Sequence, residues 1–174
     1  MITIVAILAI AALLYLVLKV KAPHDIYRQF ALSASQWKII SSDLGKGHPR
    51  KRLGAFGVGG DPDAIFRNTK SGQIAVGEFK NRSYKGYVRR REYYQILMYI
   101  GLARETFNAT NVVGLLSFQD ECIQVSFDEG VFRALIALRS EVPISLKNKR
   151  PIDPRPLHKR VTVAPGNRKI RFPM

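Results

Sequence analysis

The hydrophobic positions of this chain change period along its length, and each change marks an element. Residues 2–18 (ITIVAILAIAALLYLVL) are apolar on every face and carry no charge. With a rise of about 1.5 Å per residue, such a run reaches about 26 Å, close to the hydrocarbon thickness of a bilayer. It predicts a membrane-anchoring helix over 1–21. After Ala22-Pro23, the positions Ile26, Phe30, Trp37 and Ile40 fall near one face. They predict a helix over 25–42, ended by Gly45 and Gly47. A short strand is expected near 53–58. The apolar runs DAIFRN (63–68) and QIAVGEFK (73–80) flank Thr69-Lys70-Ser71-Gly72 and predict a hairpin. Helical spacing returns over 89–107, with Ile96, Ile100 and Ala103 inward. Residues 111–118 and 122–127 read as strands, and Asp128 as the cap of a helix over 129–140.

The predicted order is α-β-β-β-α-β-β-α, an α/β fold with a mixed sheet flanked by helices, following one N-terminal transmembrane helix. Three regions are expected: the anchor at 1–21, a folded domain at 22–142, and a basic, Pro-rich tail at 143–174. The stretch KNKRPIDPRPLHKR within that tail is expected to be extended. Lys19, Lys21 and Arg28 follow the apolar run and no basic residue precedes it. The positive-inside rule then predicts a single-pass protein of the inner (cytoplasmic) membrane with its body in the cytoplasm.

Charge narrows the partners. The formal net charge is +15, from 28 Lys and Arg against 13 Asp and Glu. That excess favours a polyanion, either nucleic acid or an anionic lipid surface. The single cysteine, Cys122, excludes an internal disulfide and a cysteine-ligated metal cluster.

The hairpin carries the candidate chemistry. With its midpoint between Lys70 and Ser71, facing positions have numbers that add to 141, which sets Asp63 opposite Glu78 on one face. Lys80 lies two residues beyond Glu78 and shares that face. Facing carboxylates repel unless a cation joins them, and Mg²⁺ or Mn²⁺ prefers such oxygen ligands. A lysine beside the ion can orient or help deprotonate water. Two acids, a lysine and a divalent ion suffice for phosphodiester hydrolysis.

On the following helix, Gln95 and Tyr99 stand at i and i+4 on one face. Gln95 can hold a phosphate or a water and Tyr99 can contact DNA; both also fit as ordinary polar residues of an amphipathic helix. Around the hairpin, Lys51, Arg52, Arg82, Lys85, Arg89, Arg90 and Arg91 are the candidate nucleic-acid contacts. Tyr84, Tyr87 and Tyr93 are interleaved with them as candidate stacking platforms. The basic tail fits DNA, RNA or anionic lipid alike.

GGDPDAIF, then VGEFKNR, then YYQILMY resembles the PD-(D/E)XK nuclease superfamily. More narrowly, it resembles the RecB-like branch, including the CRISPR-associated spacer-acquisition nucleases with their Q-x-x-x-Y motif, here Gln95 to Tyr99. The resemblance covers about residues 24–140. It implies a restriction-endonuclease-like core, metal binding by Asp63 and Glu78 with help from the Phe79 carbonyl, and catalysis by Lys80. Many members add a histidine ligand before the aspartate, for which His24 and His48 are the candidates. With Cys122 alone, no iron–sulfur cluster is expected. The function expected is a membrane-anchored, Mg²⁺- or Mn²⁺-dependent deoxyribonuclease. The alternative is a catalytically idle module tethering DNA or RNA to the membrane.

Overall fold

The computed structural model describes residues 26–173 except 46, 164 and 168. Its sheet follows from alternation. Strand β1 is Trp37–Ser42, β4 Ala64–Asn68, β5 Ile74–Phe79, β6 Val112–Ser117 and β7 Cys122–Val125, arranged β1-β4-β5-β6-β7. All neighbours are antiparallel except β5 and β6, which are parallel. A parallel pair needs a crossover, supplied here by helix α1, Arg90–Phe107. Between β1 and β4, β2 (Leu53–Ala55) and β3 (Val58–Gly60) form a separate small hairpin.

Successive side chains on a strand point to opposite faces. Ile65, Ile74, Val76 and Leu116 therefore join Ile96, Leu97 and Ile100 of α1 in one core, while Ala64, Phe66, Ala75 and Leu115 pack with Ile26 and Phe30 on the other side. Both faces of β5 are covered, which is why its run is continuously apolar up to Glu78. Two glycines permit this closeness. A Cβ at Gly77 would strike the Phe30 ring, and one at Gly114 would sit 2.6 Å from Ile96 Cγ1.

The β4–β5 ladder pairs Ala64 with Gly77, Ile65 with Val76, Phe66 with Ala75 and Arg67 with Ile74. Each pair adds to 141, the register expected for the hairpin. Asp63 extends the row of Ile65, and Glu78 and Lys80 extend the row of Ile74 and Val76. All three therefore belong to the face covered by α1.

The transmembrane expectation is overturned. No helix among the described residues is long and apolar enough to cross a membrane. The longest, α1, has 18 residues and carries Arg90, Arg91, Glu92, Arg104 and Glu105. The expected anchor at 1–21 lies outside the described residues. Neither a fold containing a membrane span nor a single-pass, inner-membrane location is carried forward.

Two further expectations are corrected. The helix over 25–42 stops early. Residues 26–29 are helical, Ala31 is left-handed with φ 52°, and Trp37 begins strand β1. Ser33 and Ser35 interrupt the turn with their own hydrogen bond, and the following Trp-Lys-Ile-Ile suits a strand. The tail is not a simple extended segment. Helix α2 (Glu129–Ala137) runs through a short 3-10 turn into α3 (Glu141–Asn148), and α4 is Leu157–Arg160. Val161 is buried, the Phe172 ring meets Tyr93 at 5.2 Å, and Asn167 exchanges hydrogen bonds with the Ser126 backbone. Asp128 caps α2 as expected, accepting from the Val131 amide at 3.0 Å.

Candidate active site

The last residues of β5 leave the core at its C-terminal end. Glu78 remains buried at 7% exposure, because α1 covers it. Its Oε1 accepts from Lys80 Nζ at 2.9 Å and from Gln95 Nε2 at 2.8 Å. The Gln95 Oε1 in turn accepts from Lys80 Nζ at 2.9 Å. The three side chains close a triangle in which Lys80 is held by two oxygens. Glu78 Oε2 is buried and has no hydrogen-bond partner.

Asp63 is half-buried at the start of β4. Its Oδ2 accepts from the Phe79 amide at 2.6 Å, tying the two ends of the hairpin together. Burial pushes the carboxyls of Asp63 and Glu78 above the usual carboxylate range. The Phe79 amide and Lys80 act against this at Asp63; at Glu78, Lys80 opposes it and the Asp63 charge adds to it. Both shifts come first from burial, and Lys80 lies within electrostatic reach of each acid.

Gln95 and Tyr99 both face the site. Gln95 Nε2 lies 3.3 Å from the Tyr99 hydroxyl, which donates to the Asp61 carbonyl at 3.4 Å. Gly60 lies under the Tyr99 ring, where a methyl group would collide with it. Helix α1 thus contacts the segment before Asp63 as well as Glu78 and Lys80.

One acid escaped the sequence reasoning. Asp43 adds to the upward shift at Asp63, and its amide donates to the Asp63 carbonyl at 3.1 Å. Because Ser42 pairs with Ala64 in the β1–β4 ladder, position 43 falls beside position 63. The strand assignment of 37–42 was the signal needed to find it. Of the histidines, His48 sits half-buried in the loop before β2, and His24 lies outside the described residues. Among the described residues, no group of three or more His, Cys, Asp or Glu side chains is placed to hold a metal ion. Any ion here must take two carboxylates and complete its shell with backbone, water or phosphate oxygens, a set that suits Mg²⁺ or Mn²⁺. The unpartnered Glu78 Oε2 fits that demand.

The basic candidates divide. Lys85, Arg89 and Arg91 are exposed. Arg52 is exposed and pairs with Asp61 at 3.4 Å. Lys51 Nζ lies 4.4 Å from the centre of the Phe107 ring, and the Arg90 guanidinium 5.0 Å from that of Phe172. Arg82 is withdrawn from solvent: it meets Glu92 through Nε at 3.2 Å and Nη2 at 2.7 Å, and lies over Phe118 at 4.6 Å. Tyr93 is completely buried and offers no platform for a base, whereas Tyr84 and Tyr87 are half-buried. Cys122 is partly buried, donates weakly to the Phe30 carbonyl, and has its thiol pushed up to about 11 by burial.

No family model matches the sequence, and no curated protein matches it. Among solved structures, the chain is similar to one described as "Crystal structure of SSO0001", at 22% identity and a TM-score of 0.41. The match covers 80% of this chain and 63% of that one. A likeness this loose carries no assignment, and the reading of the site rests on its own geometry.

Proposed function

We propose that this chain is a Mg²⁺- or Mn²⁺-dependent deoxyribonuclease of the PD-(D/E)XK type, hydrolysing DNA phosphodiester bonds. The observation that carries the reading is the buried, unpartnered Glu78 Oε2 on the face shared by Asp63 and Lys80. Asp63, Glu78 and the Phe79 carbonyl would hold the ion. When bound, it would neutralise charge at the phosphate and make water a better nucleophile. Lys80, fixed by Glu78 and Gln95, brings an ammonium to the attacked phosphate and can orient the attacking water. Gln95 restrains Lys80 rather than standing free for substrate. Tyr99, against the Asp61 carbonyl, borders the approach to Asp63. The exposed Lys51, Arg52, Lys85, Arg89 and Arg91 supply phosphate contacts.

A module that only binds DNA gains nothing from two carboxylates beside a polyanion, which favours cleavage over tethering. Incubating the full chain with linear, circular and single-stranded DNA tests this. Cleavage requires Mg²⁺ or Mn²⁺ and is lost in Lys80→Ala by at least about 100-fold, while salt-dependent binding persists. Cleavage that survives Lys80→Ala or excess EDTA rules the mechanism out.

A further inference from the structure

The candidate site is assembled from two pieces that meet through Gln95 and through the packing of α1 on the sheet. Asp63, Glu78 and Lys80 belong to the β4–β5 hairpin, whereas Gln95 and Tyr99 belong to α1. Between Lys80 and α1 runs a loop without regular secondary structure, in which Asn81, Ser83, Lys85, Gly86 and Arg89 are exposed. Such a loop does not by itself fix how far along its axis the helix sits. A shift of about 1.5 Å, one residue of rise, would carry Gln95 off Lys80.

A partly buried ion pair at the start of α1 adds a further tie across that loop. The Arg82 and Glu92 side chains are 17% and 5% exposed. Two parallel N–H donors meet the two carboxylate oxygens, the arrangement in which a guanidinium is most directional. Glu92 Oε2 also accepts from the Arg89 amide at 2.9 Å, so the same carboxylate closes the first turn of α1. On the strand side, the Arg82 amide donates to the Lys80 carbonyl at 2.6 Å. Its carbonyl accepts from Gln119 in the β6–β7 turn, and its Nη1 donates to the Ser83 carbonyl at 3.1 Å. Along α1, positions 92, 95 and 99 share one stripe. Read from the N-terminus, that stripe meets Arg82, then Lys80 and Glu78, then Asp61.

We infer that Arg82 and Glu92 are positioning residues for the proposed cleavage: their forked, partly buried pair fixes the N-terminal end of α1 against β5 and so helps hold Gln95 against Lys80. This rests on the nuclease reading but assigns a role to neither DNA nor ion. Losing the fork while keeping the charge is the informative change, so Arg82→Lys is compared with Glu92→Gln and with the double variant in the full chain, each checked for folding by circular dichroism. Two readouts are taken. The first is solvent exchange of the Gln95 side-chain amide by NMR without metal or DNA, which is slow while that amide donates to Glu78. The second is kcat and KM for DNA cleavage.

Faster Gln95 exchange in Arg82→Lys, a kcat lowered about 10- to 100-fold by misplacement with KM within about twofold, and a double variant no worse than the poorer single one support the inference. Unchanged Gln95 exchange overturns it. So does a rise in KM at constant kcat, which would make Arg82 a DNA contact. If wild-type protein cleaves nothing, the nuclease reading fails while the exchange comparison still decides the clamp.

Discussion

Glu78 is bonded through one carboxylate oxygen and buried without a partner through the other. Its pKa is raised, first by burial. An acid raised on folding binds its proton more tightly in the folded state. Its contribution favours folding at low pH and is lost as pH climbs from the ordinary carboxylate value through the raised one. Glu78→Gln removes that penalty. In EDTA at pH 8 the variant melts above wild type, as read by differential scanning calorimetry. The gap closes as pH falls toward about 4. Mn²⁺ raises the wild-type melting temperature and leaves the variant's unchanged. A variant that melts lower than wild type at pH 8, or that gains equally from Mn²⁺, contradicts this account. At this scale the acid pair and Lys80 were legible, because strand alternation and a short turn fix which side chains share a face. Asp43 was not, since its neighbourhood to Asp63 exists only through pairing between strands separated in sequence.

Among the elements, the helix carrying Gln95 is pressed directly onto the sheet. Gly114 on β6 lies under Ile96 and Ile100, and an added Cβ there has no room. Gly114→Ala therefore pushes α1 outward at a cost of about 1–3 kcal/mol, measured by urea unfolding. Because α1 carries Gln95, the same change lowers cleavage even where the protein remains folded. Full stability in Gly114→Ala would show that the helix has slack. The strands from β4 onward and α1 were readable from period alone. Residues 37–42 were misread because Trp37 and Ile40 also satisfy a helical spacing, and six residues do not separate the two periods. The α3 helix was hidden by Pro143, which reads as a breaker yet stands in the first turn, where proline is tolerated.

For the molecule as a whole, the net charge of +15 bears on encounter with a polyanion, on the proposed reading DNA, rather than on fold. Some of that charge is internally engaged: Arg82 with Glu92, Arg155 with Asp153, and Arg160 with Glu141 and Asp153. Lys51, Arg52, Lys85, Arg89 and Arg91 remain exposed. The logarithm of DNA affinity should fall with the logarithm of salt at a slope of about −4, as for four or five phosphate contacts. Fluorescence anisotropy across a KCl series measures it, and a slope near zero removes these residues from the interface. Charge total was legible at once; which arginines are spoken for was not, because ion pairing depends on the folded neighbourhood.

The parallel pairing of β5 with β6 has a bearing on timing. Hairpins close over short loops, whereas β6 joins β5 only after the crossover has been traversed, and such non-local contacts form slowly. By that argument the two acids and their lysine would gather before Gln95 arrives with the helix. On the proposed nuclease reading, a chain still emerging from the ribosome would carry a lysine without its Gln95 support until residues beyond 117 were in place. Pulsed hydrogen exchange during refolding should find β4–β5 amides protected before those of α1, and the reverse order would overturn this sequence of events.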